Sequence, residues 1–516
     1  MGIEIAKTEV ADFETAVIHA GHGRYQKYLL AICGAIYAAC AISTTTLSFV
    51  LPAAECDFNL TSADKGKLSA TPLIGMIFGS YTWGTLADLK GRKWIIISCL
   101  LLDAFSGFAS SFVQNFYGFL ACRFFNGFGI IGATSLIFSY LGEFLSIKYR
   151  DTMLCRLEIF WTFGMILLPV IAWLVIPLTF EIPILSLITY NSWRAFVALC
   201  GLPSLLTAAV LCLFPESPRF LLIKGEEEKA HSVLSHIYAI NTNKHPADYP
   251  ILSLQSEQDN FLNNNSISSF IHTISNYHEF SVRLNDAWIQ NRSLFKRPYI
   301  KYLFITCFAD FGLMASYYTL IMWFPDLFDR FDQYQATHSA DANGICEVTS
   351  VAVPTNATIL DICKEPIDDK VFLYTLIVAL SCIPTAISLG FWMDKLGKKY
   401  LLIFSLIASG CSALALNLIR NGVENLIVSC IFEAITSTTE AVIFCLVVDL
   451  FPTHLRAVAL ALTVTCGRIG AILGNIVFGI LIDLNCIVPI YTFGCLLIAS
   501  GFLCFSIPKT GYTIIF

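Results

Sequence analysis

Seven ionisable side chains lie inside stretches otherwise apolar enough to cross a bilayer: Asp103, Arg123, Glu158, Asp310, Glu433, Glu440 and Arg468. A charge in that setting is costly unless it faces a partner or a wet cavity. Asp310, Glu440 and Arg468 fall well inside the seventh, tenth and eleventh apolar runs, which makes them the leading candidates for a cavity wall. An acid–base set of this kind grips a polar solute by hydrogen bonds and charge. Trp161, Tyr317 and Tyr318 add flat faces on which a planar or sugar-like solute would stack. Arg123, one turn into the fourth run, reads equally well as a snorkelling side chain, and Asp103 has a smaller claim.

A second set of charges is written twice. Gly84-Thr-Leu-Ala-Asp88-Leu-Lys90-Gly91-Arg92-Lys93 returns as Gly390-Phe-Trp-Met-Asp394-Lys395-Leu-Gly397-Lys398-Lys399, and Glu143 with Arg150 returns as Asp449 with Arg456. Both copies keep one offset, 390 − 84 = 306 and 449 − 143 = 306, so the chain reads as two related halves. Each block puts a carboxylate near a helix end and cations in the tight turn that follows. Pairing of Asp88 across to the Arg150 region, and of Asp394 to Arg456, is expected to hold one face shut. Arg92, Glu143, Lys398 and Asp449 belong to the same gate, with Glu216 and Arg219 from Pro215-Glu216-Ser217-Pro218-Arg219. Gly127-Phe-Gly129-Ile-Ile-Gly132 matches a dinucleotide fingerprint as a string, but it lies in an apolar helix without a preceding strand. Close helix packing is the reading there, as for Gly75/Gly79 and Gly470/Gly474.

The elements that must position these groups are membrane helices. The chain is 56% hydrophobic and only 14% charged, against about 25% charged for soluble domains. Mean hydropathy is +0.68. A net charge of −6 gives no footprint for nucleic acid. Most of the 19 cysteines sit in apolar runs without metal-ligand spacing, and no Gly-rich phosphate loop ends in Lys-Ser or Lys-Thr. Neither a cofactor, a metal, a nucleotide nor covalent catalysis is expected. Twelve runs approach the ~20 residues a span needs, at 29–51, 67–88, 94–112, 116–141, 152–177, 193–214, 299–323, 371–392, 400–419, 425–448, 457–481 and 489–508. The fold class is therefore an all-α membrane protein of twelve transmembrane helices in two pseudo-symmetric six-helix bundles, 29–214 and 299–508.

Ten Lys and Arg residues in the loops after runs 2, 4, 8 and 10 face two, Lys65 and Arg420, in the short loops opposite. The positive-inside rule then puts the repeated blocks, the N-terminal segment 1–28, the linker 215–298 and the C-terminal segment 509–516 in the cytoplasm. No cleavable signal peptide is read before the first run. The loop 325–370 faces outside or a vesicle lumen. It carries Cys346 and Cys363, expected to form a disulfide there, although Cys56 and Cys486 share that side and compete. Asn356 in Asn356-Ala-Thr358 is the expected glycan site, while Asn291 falls on the cytoplasmic side.

Gly21-His-Gly-Arg24-Tyr-Gln, Phe49-Val-Leu-Pro52-Ala-Ala-Glu55, Phe138-Ser-Tyr140-Leu-Gly-Glu143-Phe, Ala172-Trp173-Leu-Val-Ile-Pro177, Pro215-Glu-Ser-Pro-Arg219-Phe and Tyr317-Tyr318 followed by Trp323-Phe-Pro325-Asp326 together resemble the synaptic vesicle glycoprotein 2 family of the major facilitator superfamily. The resemblance implies a major facilitator fold alternating access between two bundles, with Trp161 and Tyr318 lining a central pocket. Three departures mark a divergent relative, of the insect type: the lumenal loop is shorter than in the vesicle glycoproteins, the cytoplasmic N-terminal segment is far shorter, and the third lies in the first helix. The family's first helix carries an Asp and a Glu three residues apart, and the matching positions here are Cys40 and Ser43. With that pair absent and both an acid and a base elsewhere, a neutral polyhydroxylated or zwitterionic solute is expected over a simple organic cation. The function expected is secondary transport of a small organic solute, with or without a coupling ion, in a plasma or vesicle membrane. The alternative is a transporter-shaped trafficking or binding protein that no longer transports.

Overall fold

The computed structural model describes residues 8–184, 188–254, 294–337, 346 and 367–508. Twelve long helices run through them: α1 (Arg24–Thr45, continued by Leu47–Ala53), α2 (Ser62–Lys90), α3 (Arg92–Phe112), α4 (Phe116–Gly142), α5 (Ile147–Val175), α6 (Ser192–Leu211), α7 (Tyr299–Thr337), α8 (Asp369–Leu396), α9 (Lys398–Ala415), α10 (Gly422–Leu450), α11 (Thr453–Asn485) and α12 (Ile487–Cys504). Eleven are long and apolar enough to cross a membrane. The other, α2, is 29 residues long but is diluted by Asp64, Lys65, Lys67, Asp88 and Lys90. Local sequence explains where helices bend. Thr44, Thr45 and Thr46 each turn a hydroxyl back onto the carbonyl four residues earlier (2.7–2.8 Å), which loosens α1 just before Leu47.

The duplication is built into the packing. In the first half α1 packs on α4, α5 and α6, α2 on α4, and α3 on α4 and α6; each contact has its counterpart six helices later. The turns repeat too. Asn115 caps α4 through the Gly118 amide and Asn421 caps α10 through the Glu424 amide, with 421 − 115 = 306. Gly91 and Gly397 both take the left-handed backbone region, at φ 101° and 77°, that L side chains avoid. The glycines of α4 are packing residues: a methyl at Gly127 would strike the Pro72 carbonyl of α2, and one at Gly129 the Cys99 carbonyl of α3.

The repeated blocks and the described ends of the chain share one face, here the signature face; the opposite one is the distal face. On the signature face Thr8–Ala11 pairs in parallel with Ile251–Leu254 of the linker, and the Tyr249 hydroxyl donates to the Ala16 carbonyl. Glu14 accepts from the Ile147 amide at the start of α5. The first part of the linker is thus fastened to the first half. On the distal face α7 runs on to Thr337, twelve residues beyond the expected loop boundary at 325. The expected Cys346–Cys363 disulfide is not formed. Cys346 pairs with Cys486 at the α11–α12 corner, and Cys56 is also disulfide-bonded. Cys363 and Asn356 lie outside the described residues, as do Asn291 and the terminal segment 509–516.

Candidate functional site: a central cleft between two halves

The halves meet along two symmetry-related seams, α2 against α11 and α5 against α8. Arg468, on α11, reaches across the first seam. It donates to the Tyr318 hydroxyl on α7 (3.2 Å), lies 5.3 Å from the centre of that ring, and comes within 3.2 Å of the Met76 sulfur on α2. Glu440 on α10 and Asp310 on α7 are both in electrostatic range of this guanidinium. Asp310 is 1% exposed, sits against Gly467 of α11, and leaves one carboxylate oxygen without a hydrogen-bond partner. Asp310, Glu440 and Arg468, the three residues the sequence singled out, thus lie within electrostatic range of one another.

Two further residues complete the cleft. Tyr37 on α1 donates to Glu158 on α5 (3.1 Å), and its ring packs 5.1 Å from Trp161, one turn further along α5. Glu158 is exposed although it lies in a membrane helix, and its charged neighbour is Glu440 of the other half. Exposure combined with those two contacts places it on the open cleft. Tyr37 carries no sequence signal. Glu158 was legible as an ionisable group three residues before Trp161, hence on the same face. Tyr317 adjoins Tyr318 and is in electrostatic range of Glu440 as well as Glu433. The two rings pack edge-on (5.4 Å).

Asp103 proves to be the centre of a buried polar cluster. It accepts from Ser43 (2.7 Å) on α1, Asn126 (2.5 Å) on α4 and Ser204 (2.5 Å) on α6. Arg123 is fully inside as well, donating to Ser110 and stacked on Phe119, so it does not snorkel. The cluster ties four helices of the first half together. Asp103→Leu should orphan three buried donors and cost about 2–4 kcal/mol, read as a lower denaturation temperature of the solubilised protein. A smaller loss in Asp103→Asn would match its remaining capacity to accept.

The gate expectation needs correction. Asp88 does not pair with the Arg150 region; it is 77% exposed and only 3.6 Å from Arg92 one turn away. The pair that is built is Arg92–Glu143 at 2.6 Å, and its repeat is Lys398–Asp449 at 2.7 Å, again 306 apart (398 − 92, 449 − 143). Both pairs lie within one half. Ser217 also donates to Glu143, whose carboxyl burial pushes up from its ordinary value, opposed by Ser217 and Arg92. Glu216 accepts from the Lys93 amide and packs on Gly91, while Arg219 is exposed. Arg150 donates to the Gly142 and Leu145 carbonyls and pairs with Glu14. Arg456 has no described ion pair, and the Asp394 side chain lies outside the described residues. The reason is geometric: Glu143 caps the end of α4 directly above the turn, whereas Asp88 points off α2 into solvent.

Ion pairing between halves occurs on the distal face. Lys65 on α2, 1% exposed, contacts Asp326 on α7 at 2.5 Å and Glu55 at 2.7 Å. Arg330 holds Asp326 (2.9 Å), Asp483 (3.2 Å) and the Ser62 hydroxyl (3.0 Å). Beneath this network Gly66 and Gly479 bring α2 and α11 into backbone contact, so that a methyl on either would collide. Among the described residues no ion pair joins the halves on the signature face. The cleft is closed distally.

Twelve helices in two repeats around a polar central cleft define a transporter of the major facilitator type. The Sugar (and other) transporter model matches residues 33–292 and the Major Facilitator Superfamily model residues 368–512; the chain belongs to the sugar transporter family of that superfamily. It is similar to synaptic vesicle glycoprotein 2C of Mus musculus (26% identical, 96% of this chain, 80% of that one) and 2B of Homo sapiens (26%, 96% and 85%). Synaptic vesicle glycoprotein 2A of Rattus norvegicus is 33% identical over 61% of this chain and 43% of its own. In fold it is similar to the xylose transporter XylE from E. coli in a partially occluded inward open conformation (TM-score 0.67, 17% identical, 95% of this chain, 100% of that one). The nucleoside transporter NupG superposes with a TM-score of 0.59 (15% identical, 93% and 98%).

Proposed function

We propose that the chain is a secondary transporter that carries a small organic solute across its membrane by alternating access, with the signature face cytoplasmic. The observation that carries this reading is the cleft itself. Acidic, basic and aromatic side chains from both halves converge between two repeats whose ion pairs, among the described residues, bridge on the distal face. Rocking of the halves would break the distal network and bring the signature turns together. The Arg92–Glu143 and Lys398–Asp449 pairs keep each turn rigid through that motion rather than serving as the bond that breaks. Sequence similarity to the synaptic vesicle glycoproteins supports a vesicle membrane as its site.

A second reading is a binding or trafficking protein of the same shape. It is favoured by Cys40 and Ser43 at the positions where the resembling family carries acids. Uptake of a solute panel into proteoliposomes, with and without a pH gradient, separates the two. Saturable binding without uptake of any member would support the second reading. For orientation, glycan mapping is expected to find Asn356 modified and Asn291 bare; a glycan on Asn291 would invert the topology.

A further inference from the structure

Charge in the cleft is unbalanced. Glu440 is in electrostatic range of Asp310, Glu158 and Arg468, whereas Arg468 acts on Asp310 and Glu440 and not on Glu158. That guanidinium is already committed to the Tyr318 hydroxyl and ring face. Glu158 is the group left over. Its polar contact is the neutral Tyr37 hydroxyl, and the charge that acts on it is another carboxylate, Glu440, from the opposite half. An apolar interior relieves such an excess either by protonating a carboxylate or by supplying a counter-charge. The expectation of a neutral or zwitterionic solute counted fewer acids, because the sequence alone does not bring Glu158 opposite Glu440.

We propose that the cleft selects an organic solute carrying a positively charged nitrogen, an ammonium or amidinium, seated between Glu158 and Glu440 against the Tyr37–Trp161 wall. Carboxylates supply the charge-assisted contacts, and the aromatic faces attract a cation through their quadrupoles. The site already shows this chemistry, with the Arg468 guanidinium on the Tyr318 ring. The placement also couples binding to motion. When both are ionised and no solute is bound, Glu158 and Glu440 repel across the cleft; a cation between them turns that repulsion into attraction and draws the halves together. A ligand shifts a conformational equilibrium only by such differential contacts.

This inference rests on the transporter reading, and the test separates their failures. Full-length protein in proteoliposomes is assayed for uptake of labelled 1-methyl-4-phenylpyridinium and labelled glucose, with unlabelled tetraethylammonium as competitor. Cation uptake that tetraethylammonium competes, and glucose does not, is expected. Glu158→Gln and Glu440→Gln should each cut it by about tenfold or more, since losing one partner of a desolvated charge pair weakens binding at least that much. Glu158→Asp, which keeps the charge, should retain part of it; gel filtration shows that each variant is folded. Glucose uptake without cation uptake would overturn the cation reading and leave the transporter standing. So would glucose uptake whose pH-gradient dependence, and nothing else, is lost in Glu158→Gln, because the carboxylates would then carry only a proton. If neither probe crosses, saturable quenching of Trp161 fluorescence by the pyridinium in wild type, absent in Glu158→Gln, keeps the cation site and removes transport. Absence of both uptake and quenching overturns the cation site.

Discussion

Lys65→Met should let the distal face open. Lys65 is fully buried and bridges Glu55 and Asp326 across the seam. Removing one partner of a buried pair costs about 3–5 kcal/mol. Here Arg330 remains on Asp326 and recovers part of that, so about 2 kcal/mol, roughly thirtyfold in population, is the expected shift. The distal-open state loses nothing, because water solvates the same groups there. A cysteine introduced at Ser62, beside the network, should react faster with a membrane-impermeant thiol reagent added from the distal side. Asp326→Asn should act in the same direction, and the double variant should fall short of the sum because both substitutions break one network. An unchanged labelling rate in both would show that the glycine contact alone keeps this face shut.

Arg468→Gln should reduce solute uptake by about a hundredfold, the lower range for truncating a desolvated charge partner. The guanidinium does two things at once: it orients Tyr318 and offsets Asp310 and Glu440. Arg468→Lys keeps the charge but not the flat fork that lies on the ring, so an intermediate rate is expected. Initial uptake rates, normalised to protein incorporated, make the measurement. Wild-type rates in Arg468→Gln would move the solute path away from this cleft.

The fixed 306-residue offset made the twofold architecture legible, because a duplicated turn needs the same glycine, cap and charge in both copies. Gly91/Gly397 and Asn115/Asn421 follow from it directly. Ionisable residues in apolar runs likewise pointed to the cleft, since burial in lipid leaves them few places to go. Pairings between distant elements were not legible. Asp88 and Arg150 were joined by proximity in the motif, whereas Glu143 at the α4 cap is the group that reaches Arg92. Lys65 read as a loop charge and Asp326 as the edge of a loop, because hydropathy falls at the charged ends of α2 and α7 although both helices continue. Tyr37 looks like any aromatic in an apolar run until α5 is set beside it.

The bond between Cys346 and Cys486 joins two points of the second half. A covalent link that begins and ends in one moving body has no lever on the hinge between bodies. Reduction would therefore release a loop from its own bundle without arresting or freeing the rocking of the halves. For this bond, redox conditions on the distal side bear on how long the second half lasts and not on how fast the halves rock; Cys56, in the first half, is held by a separate disulfide. As far as the Cys346–Cys486 bond goes, durability of the second half and rocking of the two halves are wired to separate covalent and ionic circuits.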